Sequence, residues 1–250
     1  MSPDKIYVVS LIPARSGSKG VINKNVRLLK NKSLLEWSIR ASIKTEMISR
    51  TVVSTNSPEY AEQAKIAGAD VPFLRPDSIS QDNSTDLEFV NHAIDFFEKE
   101  GRIPDLIVHL RPTTPFRDPE VMARAIKTAT ESKTEFSAIR SVHEMSESAY
   151  KSFEIHETGN LISVFSKKRE LDLSNQARQV FPATYCPNGY IDLLDPRFIR
   201  ESGMLHGNNV FPFITEQTIE IDNEGDFRLA ESLISMDKVL FKNLFEGEYV

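Results

Sequence analysis

Between Ile12 and Asn25 the chain reads IPARSGSKGVINKN, and no acid falls within it. Arg15, Lys19 and Lys24 are cationic, Ser18 and Asn25 add a hydroxyl and an amide, and Gly17 and Gly20 let the backbone approach a ligand closely. Such a donor-rich loop suits a polyanion, most simply the triphosphate of a nucleotide. The same residues also fit a turn with solvated lysines. The glycine spacing is wrong for G-x-x-x-x-G-K-[ST], and G-x-G-x-x-G is absent.

Two further groupings are candidates. Glu220-Ile221-Asp222, read as a strand end, places both carboxylates on one face, which suits a hard cation such as Mg²⁺. It equally suits two acids on an exposed strand. The segment Arg75 to Asp86 (RPDSISQDNSTD) carries amides and hydroxyls that fit a base or ribose, although Ser84 and Thr85 also read as helix caps. The five histidines show neither metal-ligand spacing nor a nucleophile context, which disfavours a hydrolytic triad.

These residues need elements to hold them. Ile6–Leu11 has the length and apolar content of a buried strand that ends at Pro13. Ser33 to Glu36 forms a capping box ahead of a helix whose Leu35, Ile39, Ile43 and Met47 share a face. Strands are predicted at Thr51–Thr55, Val71–Leu74, Asp105–Leu110 and Phe136–Val142. Helices follow Ser57-Pro58, Ser84 or Thr85, and Asp118-Pro119. Two prolines make Arg111 to Arg117 (RPTTPFR) an ordered loop at a strand end. The alternation implies an α/β fold with a doubly wound, mostly parallel sheet, whose ligands bind at the carboxyl ends of the strands.

After Val142 the alternation breaks. A hairpin over Lys151–Ile155 and Leu161–Phe165 is followed by an irregular run to Cys186 containing Lys167, Lys168, Arg169 and Arg178. The expected organisation is an α/β domain from residues 1–143 and 187–250 with an inserted arm, 144–186. Strands at Tyr190–Leu194 and Val210–Ile214, a short helix at Pro196–Ser202 and a last helix around Phe227–Ile234 complete it.

The 250 residues are 40% hydrophobic and 26% charged, as in a globular protein with a substantial core. A net charge of −6 argues against general nucleic-acid binding, so a local basic loop points to a small anion. The single Cys186 excludes an internal disulfide and fits a reducing compartment, and there is neither a membrane span nor a signal-peptide core. A cytoplasmic protein is expected.

Five pieces in order, IPARSGSKGVINKN, VVSTNSPEYAEQAKIAGADVPFLRP, LRPTTPFRDP, PNGYID and IEIDNEGDF, resemble the acylneuraminate cytidylyltransferases, which activate sialic-acid-like nine-carbon sugars. The resemblance spans nearly the whole chain and implies a doubly wound α/β sheet with a dimerisation arm, hence a homodimer. It also implies that Arg15, Ser18 and Lys19 hold the triphosphate of CTP, with Lys24 and Asn25 near the α-phosphate and nucleotide. Arg75 and the following loop to Asp86 would lie by the base and ribose, and Asp222 with Glu220 would hold Mg²⁺. Arg111 would face the acidic sugar together with Asn188, and Lys151 and Arg178 would reach the sugar site of the neighbouring subunit. Four residues depart from the family: Arg111 for glutamine, Glu220 for aspartate, Asn56 after VST, and Cys186 before Pro-Asn-Gly. Glu220 for aspartate keeps a metal ligand at a longer reach, whereas Arg111 and Cys186 concern the sugar pocket and bear on which sugar is taken.

The expected reaction is attack of an α-keto acid sugar's anomeric hydroxyl on the α-phosphorus of CTP, giving a CMP-sugar and pyrophosphate. Alternatives are a sugar-1-phosphate nucleotidyltransferase using another NTP, and a nucleotide- or sugar-binding protein without turnover. A dehydrogenase is disfavoured by the missing glycine fingerprint.

Overall fold

A computed structural model of the chain describes residues 6–17, 21–132, 135–167, 171–236 and 239–245. In chain order the strands are β1 (Val8–Pro13), β2 (Leu28–Leu29), β3 (Lys32–Ser33), β4 (Arg50–Ser54), β5 (Leu106–His109), β6 (Ala138–Glu144), β7 (Phe153–Ile155), β8 (Leu161–Ser163), β9 (Tyr185–Leu194) and β10 (Val210–Ile214). The α-helices are α1 (Leu34–Lys44), α2 (Pro58–Ile66), α3 (Asp86–Lys99), α4 (Pro119–Glu131), α5 (Pro196–Ser202), α6 (Glu224–Met236) and α7 (Val239–Phe245). Helix starts follow the capping chemistry. Ser33 accepts from the Glu36 N–H, Thr85 and Glu88 form a reciprocal capping box, and Asp118 and Asp195 cap α4 and α5 ahead of prolines in the first turn.

Six strands form one sheet in the order β10-β6-β9-β5-β1-β4. β4 and β5 flank β1 in parallel, and β9 runs antiparallel to β5. The chain leaves β1 toward one edge, through α1 to β4, and later returns on the other side of β1 as β5. This reversal opens a crevice at the carboxyl ends of β1 and β5, where doubly wound sheets bind ligands.

Strand alternation feeds two cores. Val8 and Ile12 of β1, with Val53, Val108 and Ile191, pack among α1, α2, α4, α6 and α7. Val9 and Leu11, with Val52, Ile107 and Leu194, pack against Phe89, Val90, Ile94 and Phe97 of α3 and Ile199 of α5. Helices therefore cover both faces of the sheet.

Two expected strands are absent. Val71–Leu74 is outside the sheet, which its segment touches only through an isolated bridge, Val52 to Asp70. Pro72 in its middle removes a ladder donor. Thr218–Asp222 is not a strand either. Its backbone is tied instead to the loop after β5, the Ile221 N–H donating to the Thr113 carbonyl at 2.8 Å. Helix α7, where Phe241 and Phe245 pack on Trp37, was not legible from periodicity.

The chain forms two compact units. One comprises Met1–Ser141, Asn188–Phe213 and Thr218–Val250, the other Val142–Pro187 and Ile214–Gln217. The second unit contains the β7–β8 hairpin and short 3-10 turns, and stacks Tyr150 on Phe181 with Phe165 edge-on to Tyr150. Within it, Arg178 donates to the Glu144 carboxylate at 2.7 Å and to the Met145 carbonyl at 2.9 Å, and Lys151 donates to the Gln176 carbonyl at 3.2 Å.

Arg117 is fully buried, and each of its five N–H donors is used. Its Nε donates to the Tyr190 carbonyl at 2.6 Å, one terminal nitrogen to Ser38 Oγ and the Thr114 carbonyl, and the other to the carbonyls of Arg111 and Gly189. Burial pushes its pKa down to about 9, so the guanidinium stays charged at neutral pH. Gly189 completes the junction. At φ +64° a side chain would be strained, and its Cβ would lie 2.9 Å from Thr114 Oγ1, so that the threonine would have to shift.

His109, fully buried at the end of β5, packs edge-on to Phe89, and burial pushes its pKa down to about 3. Two measurements follow. Arg117→Met removes five hydrogen bonds to oxygens of the interior and should lower the unfolding free energy by about 3 kcal/mol in urea titration; Arg117→Lys should be destabilised as well, because an ammonium cannot reach all five. The unfolded chain protonates His109 below its ordinary pKa while the folded chain does not, so stability should fall with pH from about 6.5 toward 4.5. The contribution of this histidine to that slope approaches ~1.4 kcal/mol per pH unit, and His109→Phe should flatten the urea-derived stability profile there.

Candidate active site

A cleft of ≈ 610 Å³ opens at the carboxyl ends of β1 and β5, lined by Arg15, Lys24, Asn25, Arg75, Asp82, Ser84, Thr85, Asp86, Arg111, Thr113 and Asp222 among others. A wider hollow of ≈ 780 Å³ lies near the start of β5 and is lined by Asp105, Glu135, Asp195 and Glu201, with Arg197. Its acids repel a polyanion, so charge selects the smaller cleft.

The opening loop supplies one wall. Asn25 is buried and its amide holds the Arg15 carbonyl at 3.0 Å, fixing the loop's return. Asn23 enters the short 3-10 turn Lys24–Val26 in the left-handed region, a conformation asparagine tolerates. Lys24 donates to the Ile221 carbonyl at 2.9 Å and to the Asp222 carboxylate at 3.1 Å, and Arg15 pairs with Asp82 at 3.0 Å. Ser18 and Lys19, also expected at the phosphates, lie outside the described residues.

Asn56 explains one departure from the expected pattern. Its carbonyl accepts from the Ser16 N–H at 3.0 Å, and its amide donates to Asp77 at 3.2 Å, joining the opening loop to the Arg75–Asp86 segment. An aspartate would have no donor for Asp77.

Arg75 lines the cleft but is itself buried. It donates to Ser54 Oγ and the Ser54 carbonyl and stacks 4.8 Å from the Phe89 ring, and burial pushes its pKa down to about 10. Arg111 bridges two acids, donating to Asp86 and to Asp192 at 2.8 Å each. Against the opposing effect of burial, these carboxylates hold its pKa above the usual arginine value. Asp86 and Asp192 are correspondingly held low although burial works the other way; Arg111 pairs with both, and His206 also approaches Asp192. Among the described residues neither ring nitrogen of His109 has a hydrogen-bond partner, and Nδ1 lies 3.9 Å from Asp192.

Glu220 and Asp222 do not share a strand face. Asp222 meets Lys24, while Glu220 accepts from Thr113 Oγ1 at 3.4 Å. Among the described residues no group of three or more His, Cys, Asp or Glu is placed to hold a metal ion. The two exposed carboxylates nevertheless fit Mg²⁺ in its usual nucleotide-bound form, with one or two carboxylates plus substrate phosphates. Asn188 is buried at the start of the apolar part of β9, its side-chain oxygen accepting from the Tyr190 N–H at 3.2 Å. Lys151 and Arg178 belong to the second unit.

Sequence reasoning gave no role to Asp192, Thr113 and Arg117, and weighed Asp82 only as one of the possible capping acids of the Arg75–Asp86 segment. Asp192 carried a signal, an acid inside the apolar run Tyr190–Leu194. A buried charge in a strand needs a partner, and the partner is Arg111.

Residues 9–195 match the family model described as Cytidylyltransferase. The chain is 30% identical over 225 residues to N-acylneuraminate cytidylyltransferase of Escherichia coli, covering 89% of this chain and 51% of that protein. It is 30% identical over 236 residues to CMP-N,N'-diacetyllegionaminic acid synthase of Legionella pneumophila, covering 92% of this chain and 97% of that protein. The chain thus spans about half the length of the E. coli relative and nearly all of the Legionella one. Among solved structures, CMP:2-keto-3-deoxy-manno-octonic acid synthetase complexed with CTP superposes with a TM-score of 0.68 at 12% identity, covering 92% of this chain and 99% of that one, which establishes the shared fold. With a doubly wound sheet, a cationic cleft at its switch point and a family match over three quarters of its length, the chain belongs to the cytidylyltransferase family.

Proposed function

We propose that the protein transfers the cytidylyl group of CTP to the anomeric hydroxyl of a sialic-acid-like nonulosonic acid. The hydroxyl oxygen bonds to the α-phosphorus, the bond from that phosphorus to the bridging oxygen of pyrophosphate breaks, and the hydroxyl proton is lost to solvent. The observation that carries this reading is the Lys24 ammonium, held by Ile221 and Asp222 at the mouth of the sheet's switch point, with Arg15 on the same cleft wall. Both cations are paired with partly exposed acids, so a triphosphate can take them over at small cost.

In this reading Arg15, Lys24 and the Ser18–Lys19 segment neutralise the triphosphate, and Asn25 fixes the loop that presents them. Arg75 orders the wall toward the base and ribose, with Ser84, Thr85 and Asp86 beside it. Asp222, with Glu220 near it, would hold Mg²⁺, which when bound supplies further neutralisation of the phosphates. Catalysis rests on position and charge, and no covalent enzyme intermediate is needed. The relatives bearing nonulosonic-acid names support the acceptor class.

We also propose a homodimer in which Lys151 and Arg178 of the second unit serve the acidic sugar bound by a second copy. Ile155, Leu161, Phe165, Leu173 and Val180 of that unit are exposed, as expected of a surface that a partner covers. A cytoplasmic location fits the unpaired Cys186, and no helix among the described residues is long and apolar enough to cross a membrane.

Lys24→Ala should lower the rate of pyrophosphate release roughly 10²- to 10³-fold with the fold intact by circular dichroism; near-normal turnover would remove the loop from the mechanism. Light scattering coupled to size exclusion should give twice the chain mass, and a monomer across working concentrations would remove the arm from the neighbouring site.

A further inference from the structure

Asp192 is enclosed by cations and imidazoles from several elements. Its side chain is 1% exposed. Arg111 donates to Oδ2 at 2.8 Å, Arg140 Nε lies 3.7 Å from Oδ1, and His206 Nε2 and His109 Nδ1 lie 3.7 Å and 3.9 Å from Oδ2. The other terminal nitrogen of Arg111 donates to Asp86, whose side chain is 38% exposed. Arg111 and Asp86 line the cleft, whereas Asp192 lies behind them. The Arg111 carbonyl is also held, by Arg117.

A guanidinium engaged in this way does not offer its fork to a sugar carboxylate. Doing so would strip a buried acid of its closest partner and leave its charge unpaired. Beside the Arg111 N–H groups that these two bonds leave over, the pair presents to the cleft the remaining lone pairs on Asp86, which are acceptors. The next residues of the same loop place this wall. Thr113 holds the Ile221 N–H, next to the Asp222 that pairs with Lys24, so Arg111 borders the reacting end of the cleft.

We propose that Asp192 is a positioning residue for acceptor recognition: it locks Arg111 against Asp86, so that this wall reads hydroxyl or N-acyl N–H donors of the acceptor sugar and leaves the sugar's carboxylate to be met elsewhere. The proposal rests on the cytidylyl transfer stated above.

The test is steady-state pyrophosphate release with CTP and whichever nonulosonic acid the wild type uses best, comparing Asp192→Asn, Arg111→Gln and the double variant R111Q/D192N. Asp192→Asn should raise the acceptor KM about tenfold with the CTP KM unchanged within about twofold. Because Asp192 acts through Arg111, the double variant should show the acceptor KM of Arg111→Gln and a higher Tm, having lost the unpaired buried carboxylate. If Asp192→Asn does not fold, Arg111→Gln against the double variant carries the same comparison. An unchanged acceptor KM, a rise shared equally with CTP, or a further rise in the double variant overturns the proposal while leaving the reaction standing. A wild type that releases no pyrophosphate with any nucleotide and sugar pair overturns the reaction itself.

Discussion

The structure depends on one buried guanidinium. Arg117 sits where the loop after β5, the start of the apolar part of β9 and helix α1 converge, and its five donors are all matched by oxygens of those segments. A loop with two prolines cannot satisfy its carbonyls through regular structure, and the Arg117 side chain at its own end donates to two of them. Because Arg117 holds the carbonyls of Arg111 and Thr114, Thr113 between them is presented to the Ile221 backbone and to Glu220. That contact fixes the segment carrying Asp222, and Asp222 with the Ile221 carbonyl orients Lys24. A single structural arginine thus sets the position of cations far from it in sequence.

The paired charges around the cleft differ in how readily they can be exchanged. Arg15–Asp82 is partly exposed on both sides, and Lys24–Asp222 is exposed at its acid; pairs of this kind contribute only about 0–1 kcal/mol. They keep the cations oriented without binding them tightly, as a site for a mobile polyanion requires. Arg111–Asp192 is the opposite case, its acid almost fully buried, and is held as structure. In the proposed function this gradient separates the residues that would exchange partners with a ligand from those that would shape the wall it meets.

Much of this was legible in the sequence. The opening loop, the capped helices and the alternation around β1, β4 and β5 follow from local chemistry and period, and their order implied the switch-point cleft. Val71–Leu74 was misread because a short apolar run does not reveal whether a neighbouring strand is available to pair with it. Glu220 and Asp222 were placed on one strand face by alternation, yet their backbone is set by a tertiary bond to Thr113, which no local pattern encodes. The partners of Arg111 and Arg117 were hidden for the same reason. Each lies dozens of residues from the acids or carbonyls that hold it, apart from the few in its own loop.

The central claim is that this cleft joins CTP to a nonulosonic acid. The most direct measurement is pyrophosphate release by the wild-type protein with each of the four ribonucleoside triphosphates against a panel of α-keto acid sugars and sugar 1-phosphates, with products identified by mass. The account predicts Mg²⁺-dependent release with CTP and an α-keto acid sugar, matched mole for mole by a CMP-sugar. Turnover confined to sugar 1-phosphates, or none with any pair, would contradict it.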